Sequence, residues 1–557
     1  VGPFANLRES HRMRDVDVPV LIVGAGPVGL ALAIDLASRG CGVCVVEQED
    51  GTIDHPRANA ENARTMEFFR RWGIANAVRT AGTPQDFTQT VIYTTGLNGY
   101  EIARIDRPGH GGGGGTAISP ERPQRCNQLF LDPILRARAA SFPAVDLRYR
   151  TRFESFTQDA DGVDAAVLDR ASGERMTIRA RYLVACCGGR SGVREQLGIE
   201  LQGSPAIEYN LNIFVHIRDL WSYGTAGEAA MYFFVAPEGI WRTLVDIDGR
   251  TLWRIGLRGK AYYDDPASVD VAAMLRDLCG AEVPFTEMSR RGWVARDLVA
   301  DRYAGGRAFL AGDAAHQNTP SGGFGMNTGI GDAADLGWKL AAAVAGWAGP
   351  ELLASYEIER RPVALRNVRQ ATENFVRDRK RAIDPAIASA TPAGEAARAA
   401  LREKIVGTQS RQYVSDGTAL GYRYDPSPIC IPDGSAAPPD TIVEYHPNAI
   451  PGSRAPHVVL DGVRSILDLF GAGFVLLTFG ADARASESIG AAFARAGVPL
   501  TVQAIDSPAA AALYECRLVL VRPDGHVAWR AGAAPDDADA LVATVRGAGR
   551  ARVERSA

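Results

Sequence analysis

Residues 307–327 read RAFLAGDAAHQNTPSGGFGMN and run on into TGIGDAADLGWKLAAAVAG. The apolar run 308–311 predicts a short strand that delivers Gly312 and Asp313 at its end. An aspartate placed there can accept hydrogen bonds from the hydroxyls of a polyol while its backbone stays clear. Gly322, Gly323 and Gly325 then predict a second turn, opening a long helix at about Met326. Several unpaired backbone N–H groups collect at such a positive helix end, where they suit an electron-rich ring edge or a bound anion. Alone, strand, glycine turn and helix also describe an ordinary β-to-α connection.

A second constellation lies near the start of the chain. The apolar run 18–23 feeds Gly24-Ala25-Gly26-Pro27-Val28-Gly29, helical spacing continues to Gly40, and 43–46 predicts a strand ending at Glu47-Gln48. Glu47 follows Gly29 by eighteen residues. That spacing fits a carboxylate on the ribose of an adenine dinucleotide whose pyrophosphate rests on the helix N-terminus. The motif does not by itself separate NAD from FAD. Farther on, HPRANAENARTMEFF places Arg57 and Asn59 in an extended entry to a helix. There the arginine can reach a phosphate or a flavin edge, or simply face water.

The elements that must hold these residues call for more than one domain. A chain of 557 residues accommodates about three or four units. Apolar residues make up 46%, charged residues 23%, and the net charge is -4, which excludes a basic field for nucleic acid. The polar N-terminus carries no apolar signal core, and the run 340–347 is too short to span a bilayer. The expectation is a soluble, cytoplasmic protein with no membrane span. Eight cysteines show no paired spacing for zinc or a disulfide framework, so no metal site is expected, and Cys41 and Cys44 read as buried thiols in a strand.

Period-two alternation over 145–185 predicts a hairpin returning to a parallel sheet, which ends at Cys186-Cys187-Gly188-Gly189-Arg190-Ser191. Strands at 211–217, 231–235, around Val245 and at 252–257 predict a second, mostly antiparallel sheet. Its Phe214, Tyr232, Phe234 and Trp241, with His216, are candidates to touch a planar apolar substrate; plain core is the competing role. The glycine run 111–115 reads as a surface loop, and the Ala, Pro, Gly and Ser content of 384–451 as a linker. Beyond it, the predicted βαβ then ββα order resembles a thioredoxin-like fold, in which the lone Cys516 excludes thiol–disulfide exchange.

The pattern GDAAHxxxPxGGxGMNxGxxDAxxLxWKL, with GxGxxG, PRA followed by RTME, and the Gly-Arg-Ser after Cys187, resembles the single-component FAD-dependent aromatic hydroxylases. Phenol and dichlorophenol hydroxylases and polyketide or indolocarbazole tailoring oxygenases belong to this group. The resemblance implies an α/β fold: a doubly wound FAD-binding domain over 1–205 and 301–383, an interleaved antiparallel substrate domain over 206–300, the linker 384–451, and a thioredoxin-like domain over 452–557. It also implies an NAD(P)H-dependent monooxygenase that hydroxylates a phenolic or polycyclic aromatic substrate with O2 through a flavin C4a-hydroperoxide, NADPH or NADH visiting transiently. Secondary-metabolite tailoring is the context implied.

On this resemblance the cofactor residues are Gly24, Gly26, Pro27, Val28, Gly29, Glu47, Gln48, Arg57, Gln128, Gly188, Gly312, Asp313, Pro320, Gly323, Gly325, Met326 and Asn327. Pro320, Gly325, Arg57 and Asn59 border the chemistry. Two positions depart from the family pattern. Asn59 stands where an Asp or His often faces the substrate hydroxyl, which puts deprotonation by that residue in doubt, and Cys187 stands where an Asp is usual. Oxidative decarboxylation, Baeyer–Villiger insertion and degradative (chloro)phenol hydroxylation share every motif and stay open. An NAD dehydrogenase would leave 307–327 without a purpose, and a non-catalytic flavoprotein would show no substrate-stimulated NAD(P)H oxidation. The GWxWxIP segment of flavin halogenases is absent. The isolated Cys516 and the extra domain hint at a homo-oligomer. Cys187 reads either as a tolerated change in a motif held mainly by backbone contacts or as weakened reductant or flavin handling; phosphate cradles rely on N–H groups, and a carboxylate near phosphate repels it, which favours the first. Cys187→Asp is therefore expected to purify with unchanged FAD content, checked by the ratio of flavin to protein absorbance; loss of flavin would refute this.

Overall fold

Strand Val16–Val23 pairs in parallel with Val43–Val46 on one side and Arg175–Ala185 on the other. Val145–Arg148 extends the sheet beyond Val43–Val46, and Ala308–Leu310 extends it beyond Arg175–Ala185, both in parallel. The computed structural model that shows this describes residues 16–107, 115–379, 383–480 and 483–549. The N-terminal stretch and all but Gly115 of the glycine run therefore lie outside the described residues. The expected hairpin is present as Thr151–Gln158 and Val163–Asp169, joined antiparallel to Arg175–Ala185. Val20, Leu21 and Ile22 are fully buried, as near-continuous apolar strands of a parallel sheet covered on both faces must be.

The helix after the second glycine turn runs Phe324–Ala345, two residues ahead of the expected start, with Gly323 as its N-cap at φ +66°. Its small residues are packing requirements. A Cβ on Gly329 would lie 2.6 Å from Val28 Cγ2, one on Gly331 2.7 Å from Arg360 Nη2, and one on Gly337 2.4 Å from Asp35 Oδ2. Only glycine lets this helix lie directly against Pro27–Ser38 and against the long helix Pro350–Arg379.

The second sheet has the order 316–317, 286–300, 201–216, 252–258, 239–246, 231–236, 91–94, 101–105. It draws Val91–Thr94 and Glu101–Ile105 from within the stretch assigned to the first domain. One face, with Leu211, Ile213, Val215, Leu244, Trp253 and Ile255, packs with Val271, Met274, Leu275 and Leu278 of helix Val271–Cys279. The other face turns Phe214, Val245 and Ile247 toward Leu129 and Phe130 of the first domain. The stretch read as a linker holds a 22-residue helix, Pro392–Tyr413. Its Ala397, Leu401 and Ile405 cover Val91, Tyr93 and Phe233 of the sheet. Alanine there serves helix formation, for which it is the best residue; the prolines around it suggested loop instead.

In the C-terminal unit the expected strands and helices stand at Phe474–Thr478, Ala483–Arg495, Leu500–Ala504, Leu518–Val521, Val527–Ala531 and Ala538–Val545. The added helix Pro508–Tyr514 was not expected. The first two strands pair in parallel and the rest antiparallel, in the order 500–504, 474–478, 518–521, 527–531. Arg522 reaches out of this unit to Glu359 (2.6 and 2.9 Å) and to Asp335 (3.0 Å), and Lys339 meets the same two acids at 2.6 and 2.7 Å. All four side chains are buried. Although burial opposes its charge, Arg522 and Lys339 hold the Glu359 carboxyl down at about 2. Among the described residues no helix is long and apolar enough to cross a membrane.

Removing one member of such a network strands the others. Arg522→Ala is expected to cost about 3–5 kcal/mol in chemical denaturation followed by tryptophan fluorescence; a loss near zero would show that the network does not join the units.

Candidate flavin and substrate site

Two glycines of the first turn, Gly24 and Gly29, leave no room for a side chain. Gly24 sits at φ +106°, and a Cβ there would lie 2.5 Å from the Cys186 carbonyl oxygen; one on Gly29 would lie 2.0 Å from the Gly24 oxygen. Gly26 faces open space, leaving room for a phosphate to approach the N-terminus of Pro27–Ser38. Glu47 Oε2 accepts the Ala25 N–H at 2.9 Å and Oε1 the Glu49 N–H at 2.9 Å, which holds the carboxylate at the strand end beside the cradle, with Gln48 following. The Val28 side chain packs against Gly312 and Gly329, which leaves its backbone for a ligand. Gly188 adopts φ +80°. Cys187 turns its thiol to Ser191 Oγ at 3.1 Å, and burial raises its pKa; it stays a neutral thiol at the cradle wall. Burial likewise pushes the Cys41 and Cys44 thiols up to about 11 and about 12, as buried thiols require.

The turn at Gly312 is shaped by Asp332. Its Oδ2 accepts the Gly312 N–H at 3.1 Å and contacts His316 Nε2 at 2.7 Å, while Oδ1 accepts Arg360 Nε at 2.9 Å. Burial would raise this carboxyl, but His316 and Arg360 hold it below the usual range. Gly312 adopts φ +62°, and Asp313 follows it, exposed. Surrounding protein raises the Asp313 pKa, although the residue is exposed; the nearby charges of His316 and Arg57 act to lower it. Pro320 is exposed, and Gly323, Gly325 and Met326 are partly exposed.

Asn327 departs from its expected role. Its side chain accepts the Asn62 N–H at 2.9 Å and donates to the Ala60 carbonyl at 2.8 Å, tying the 57–62 loop to the helix start rather than facing a ligand. The Gln128 N–H is bonded to Ala58 O (2.9 Å), and its side chain donates to Asp132 (3.1 Å). Arg57 is exposed and near enough to lower Asp313 and Asp132 electrostatically. Asn59 Oδ1, both side-chain atoms of Asn318 and Thr319 Oγ1 are buried without partners. This donor and acceptor set, with the Gly26 cradle, fits FAD: Glu47 and the first turn would hold the adenosine and pyrophosphate half, Asp313 the ribityl chain, and residues 320–326 the ring.

Of the substrate candidates, Phe214 faces this region, 6.5 Å edge-on from His55, and His216 lies two residues along the same face. Tyr232 and Phe234 are corrections. They are 1% and 0% exposed and belong to the core on the opposite face, under helix Val271–Cys279. Trp241 packs at the edge of that same core, with the Arg242 guanidinium 3.5 Å from its ring centroid. The alternation of a strand decides such facing, and a one-residue difference reverses it.

His55 was not singled out in the sequence, although it opens the HPRA motif. Its Nδ1 lies 2.8 Å from Ser289 Oγ, whose hydroxyl donates to the Asp54 carbonyl at 3.0 Å. With that hydrogen used, Nδ1 must carry the proton and Nε2 the lone pair. Burial, then Arg291 and Arg254, push its pKa down to about 4, so at neutral pH it is an uncharged acceptor.

Comparison with known proteins agrees with this geometry. A model of the FAD binding domain matches residues 17–371, and one of the aromatic-ring hydroxylase C-terminal region matches 448–550. The chain is 35% identical to 4-methyl-5-nitrocatechol 5-monooxygenase of Burkholderia sp, over 95% of this chain and 96% of that one. It is 35% identical to a putative polyketide hydroxylase of Streptomyces halstedii, over 92% and 93%. The rebeccamycin biosynthetic enzyme RebC with reduced flavin is 40% identical and superposes with a TM-score of 0.89, over 96% of this chain and 100% of that one. The chain belongs to the FAD-binding aromatic-ring hydroxylases and is a flavin-dependent monooxygenase of mixed α/β fold.

Asp313→Ala deletes the carboxylate that the family resemblance assigns to the ribityl hydroxyls. It is expected to weaken FAD binding at least about tenfold, so that the variant purifies flavin-depleted; full flavin occupancy at the same expression level would refute the assignment.

Proposed function

We propose that this member of the family hydroxylates a phenolic or polycyclic aromatic ring in secondary-metabolite tailoring, using O2 and either NADH or NADPH as a transient reductant. The observation that carries the reading is the 55–62 loop. One end is clamped by Asn327 to the start of the flavin-loop helix, and the other stands through His55 against Phe214 and Ser289 of the second sheet. That loop sets a flat ring between the ring-facing turn 320–326 and the apolar patch of Phe214, Val245 and Ile247.

FAD, when bound, supplies the reducing and oxygen-activating chemistry. The chain's own contribution is placement. The first-turn N–H groups of helix Phe324–Ala345 stabilise negative charge on the ring edge, and the apolar patch packs the substrate and excludes water. Neither Asn59 nor Asn62 can take a proton at neutral pH, and His55 Nε2 serves as a neutral hydrogen-bond acceptor. The tailoring context draws on the names of the polyketide hydroxylase and the rebeccamycin biosynthetic enzyme among the relatives.

Two finer readings accompany this one. The C-terminal unit is thioredoxin-like, supported by its βαβ then ββα order and its mixed four-stranded sheet, and it serves as structure because Cys516 has no second thiol in the unit. The protein acts in the cytoplasm, in keeping with eight free cysteines.

The test is anaerobic reduction of the bound flavin by NADH or NADPH, read as bleaching of its visible absorbance, with and without phenols and fused aromatics. Acceleration of at least about tenfold by one aromatic class is expected, since it takes only about 1.4 kcal/mol of coupling. Equal rates with every compound, or no bleaching, would refute a substrate-gated hydroxylase.

A further inference from the structure

Behind the flavin-loop helix lies a small polar cavity that the flavin and substrate sites do not use. One stripe of helix Phe324–Ala345, made by Phe324, Asn327, Thr328 and Gly331, forms one wall. Arg360 and Asn367 of helix Pro350–Arg379 face it, and Asn62, Arg64 and Tyr422 complete the lining. Gly329, which packs on Val28 and Gly312, lies on the other side of the helix from this stripe, as the 3.6-residue turn requires. The cavity leaves about 20 Å³ for the centre of a water-sized sphere, enough for one occupant of that size.

Its walls carry unused donors. Arg64 is 4% exposed, and its Nε is buried without a partner, while its terminal nitrogens donate to Glu67 and to the Asp524 carbonyl, both at 2.9 Å. Arg360 donates through Nε to Asp332, through Nη2 to the Thr328 carbonyl and through Nη1 to the Tyr424 hydroxyl at 3.3 Å, so each terminal nitrogen keeps a second hydrogen. Asn62 accepts the Thr65 N–H through Oδ1 at 2.9 Å, which leaves Nδ2 as a further donor. Asn367 is buried, its Nδ2 donating to Thr328 Oγ1 at 2.9 Å and its Oδ1 without a partner. A half-turn of this amide brings Nδ2 to the place of Oδ1, with the Thr328 hydroxyl turning to donate in exchange.

The charges that meet around the cavity do not balance. Arg64 and Arg454 share Glu67, and Arg71 donates only to the Pro523 and Asp524 carbonyls. Arg360 is matched by Asp332, and Arg522 and Lys339 by Asp335, Glu359 and Asp524. Six cations therefore face five acids, and burial raises the Asp335 carboxyl, which removes negative charge from the set. A buried cation without a counter-charge is costly. Water in the cavity would meet the free donors but not the charge.

We propose that this cavity binds a small monovalent anion of the halide class, held by Arg64 and Arg360 with the side-chain amides of Asn62 and Asn367. Such an ion joins the 55–62 loop, the flavin-loop helix and the long helix behind it at one centre. The site is separate from the flavin and substrate regions, and the inference does not depend on the hydroxylase reading.

The test uses the FAD-loaded enzyme and the halide alone. Crystals grown in sodium bromide are expected to show an anomalous peak in the cavity. In solution, sodium chloride is expected to raise the thermal unfolding midpoint by at least about 2 °C over sodium gluconate at equal ionic strength, with saturation. Arg64→Gln, which keeps a donor and removes the charge, is expected to weaken chloride binding in calorimetry at least about tenfold. Asn367→Asp places a fixed carboxylate in the same cavity. In gluconate that variant is expected to unfold no lower than the parent does in chloride, and chloride is expected to add nothing further.

Density in the cavity without an anomalous signal would identify water and overturn the proposal. Equal midpoints in chloride and gluconate, or a chloride shift that survives Asn367→Asp, would overturn it as well. Should Arg64→Gln fail to fold, the bromide peak and Asn367→Asp still decide.

Discussion

Asp332 is the constraint on which the flavin turn depends. One fully buried carboxylate takes the Gly312 N–H, contacts His316 and meets Arg360. In a low-dielectric interior an unpaired carboxylate would be very costly, so the three partners are obligatory rather than additive. Their placement imposes the left-handed turn at Gly312 and so decides where Asp313 points. Arg360 also donates to the Thr328 carbonyl at 2.9 Å, binding the helix that follows the turn to the long helix behind it.

That arrangement propagates outward through charge. Asp335 and Lys339 continue along the same helix, one turn apart, and meet Glu359 and Arg522. Flavin loop, long helix and C-terminal unit thus share one buried network. Such a network gives weak net stability and strong geometric specificity. Here the geometry specified is the seat of the C-terminal unit against the flavin-loop helix. Trp338, stacked on Trp347 and packed edge-on against Phe474, fills the remaining apolar space.

The site itself is built mainly from backbone. Gly26 leaves open space at the N-terminus of Pro27–Ser38, while Gly24, Gly29 and Gly312 let neighbouring backbone and Val28 pack close beneath it. His55, Phe214 and Arg254 are carried by different elements and are brought together only by the packing of two layers.

The sequence by itself determined the two glycine turns, the acid at the end of the second strand, the flavin helix and the C-terminal order of elements. Each is a local signal, in which spacing along the chain equals geometry in space. Only the tertiary structure decided which face of each strand looks at the cofactor. Tyr232 and Phe234 have the composition of a substrate pocket and lie in the opposite core, whereas Arg254, three strands after Phe214 in the chain and opposite it in the sheet, gave no local sign. The helix Pro392–Tyr413 was hidden for the converse reason: its alanines favour a helix, but only the sheet face it covers makes that helix worth forming. Register, facing and the partners of buried charges are properties of elements distant in sequence, and no window along the chain contains them.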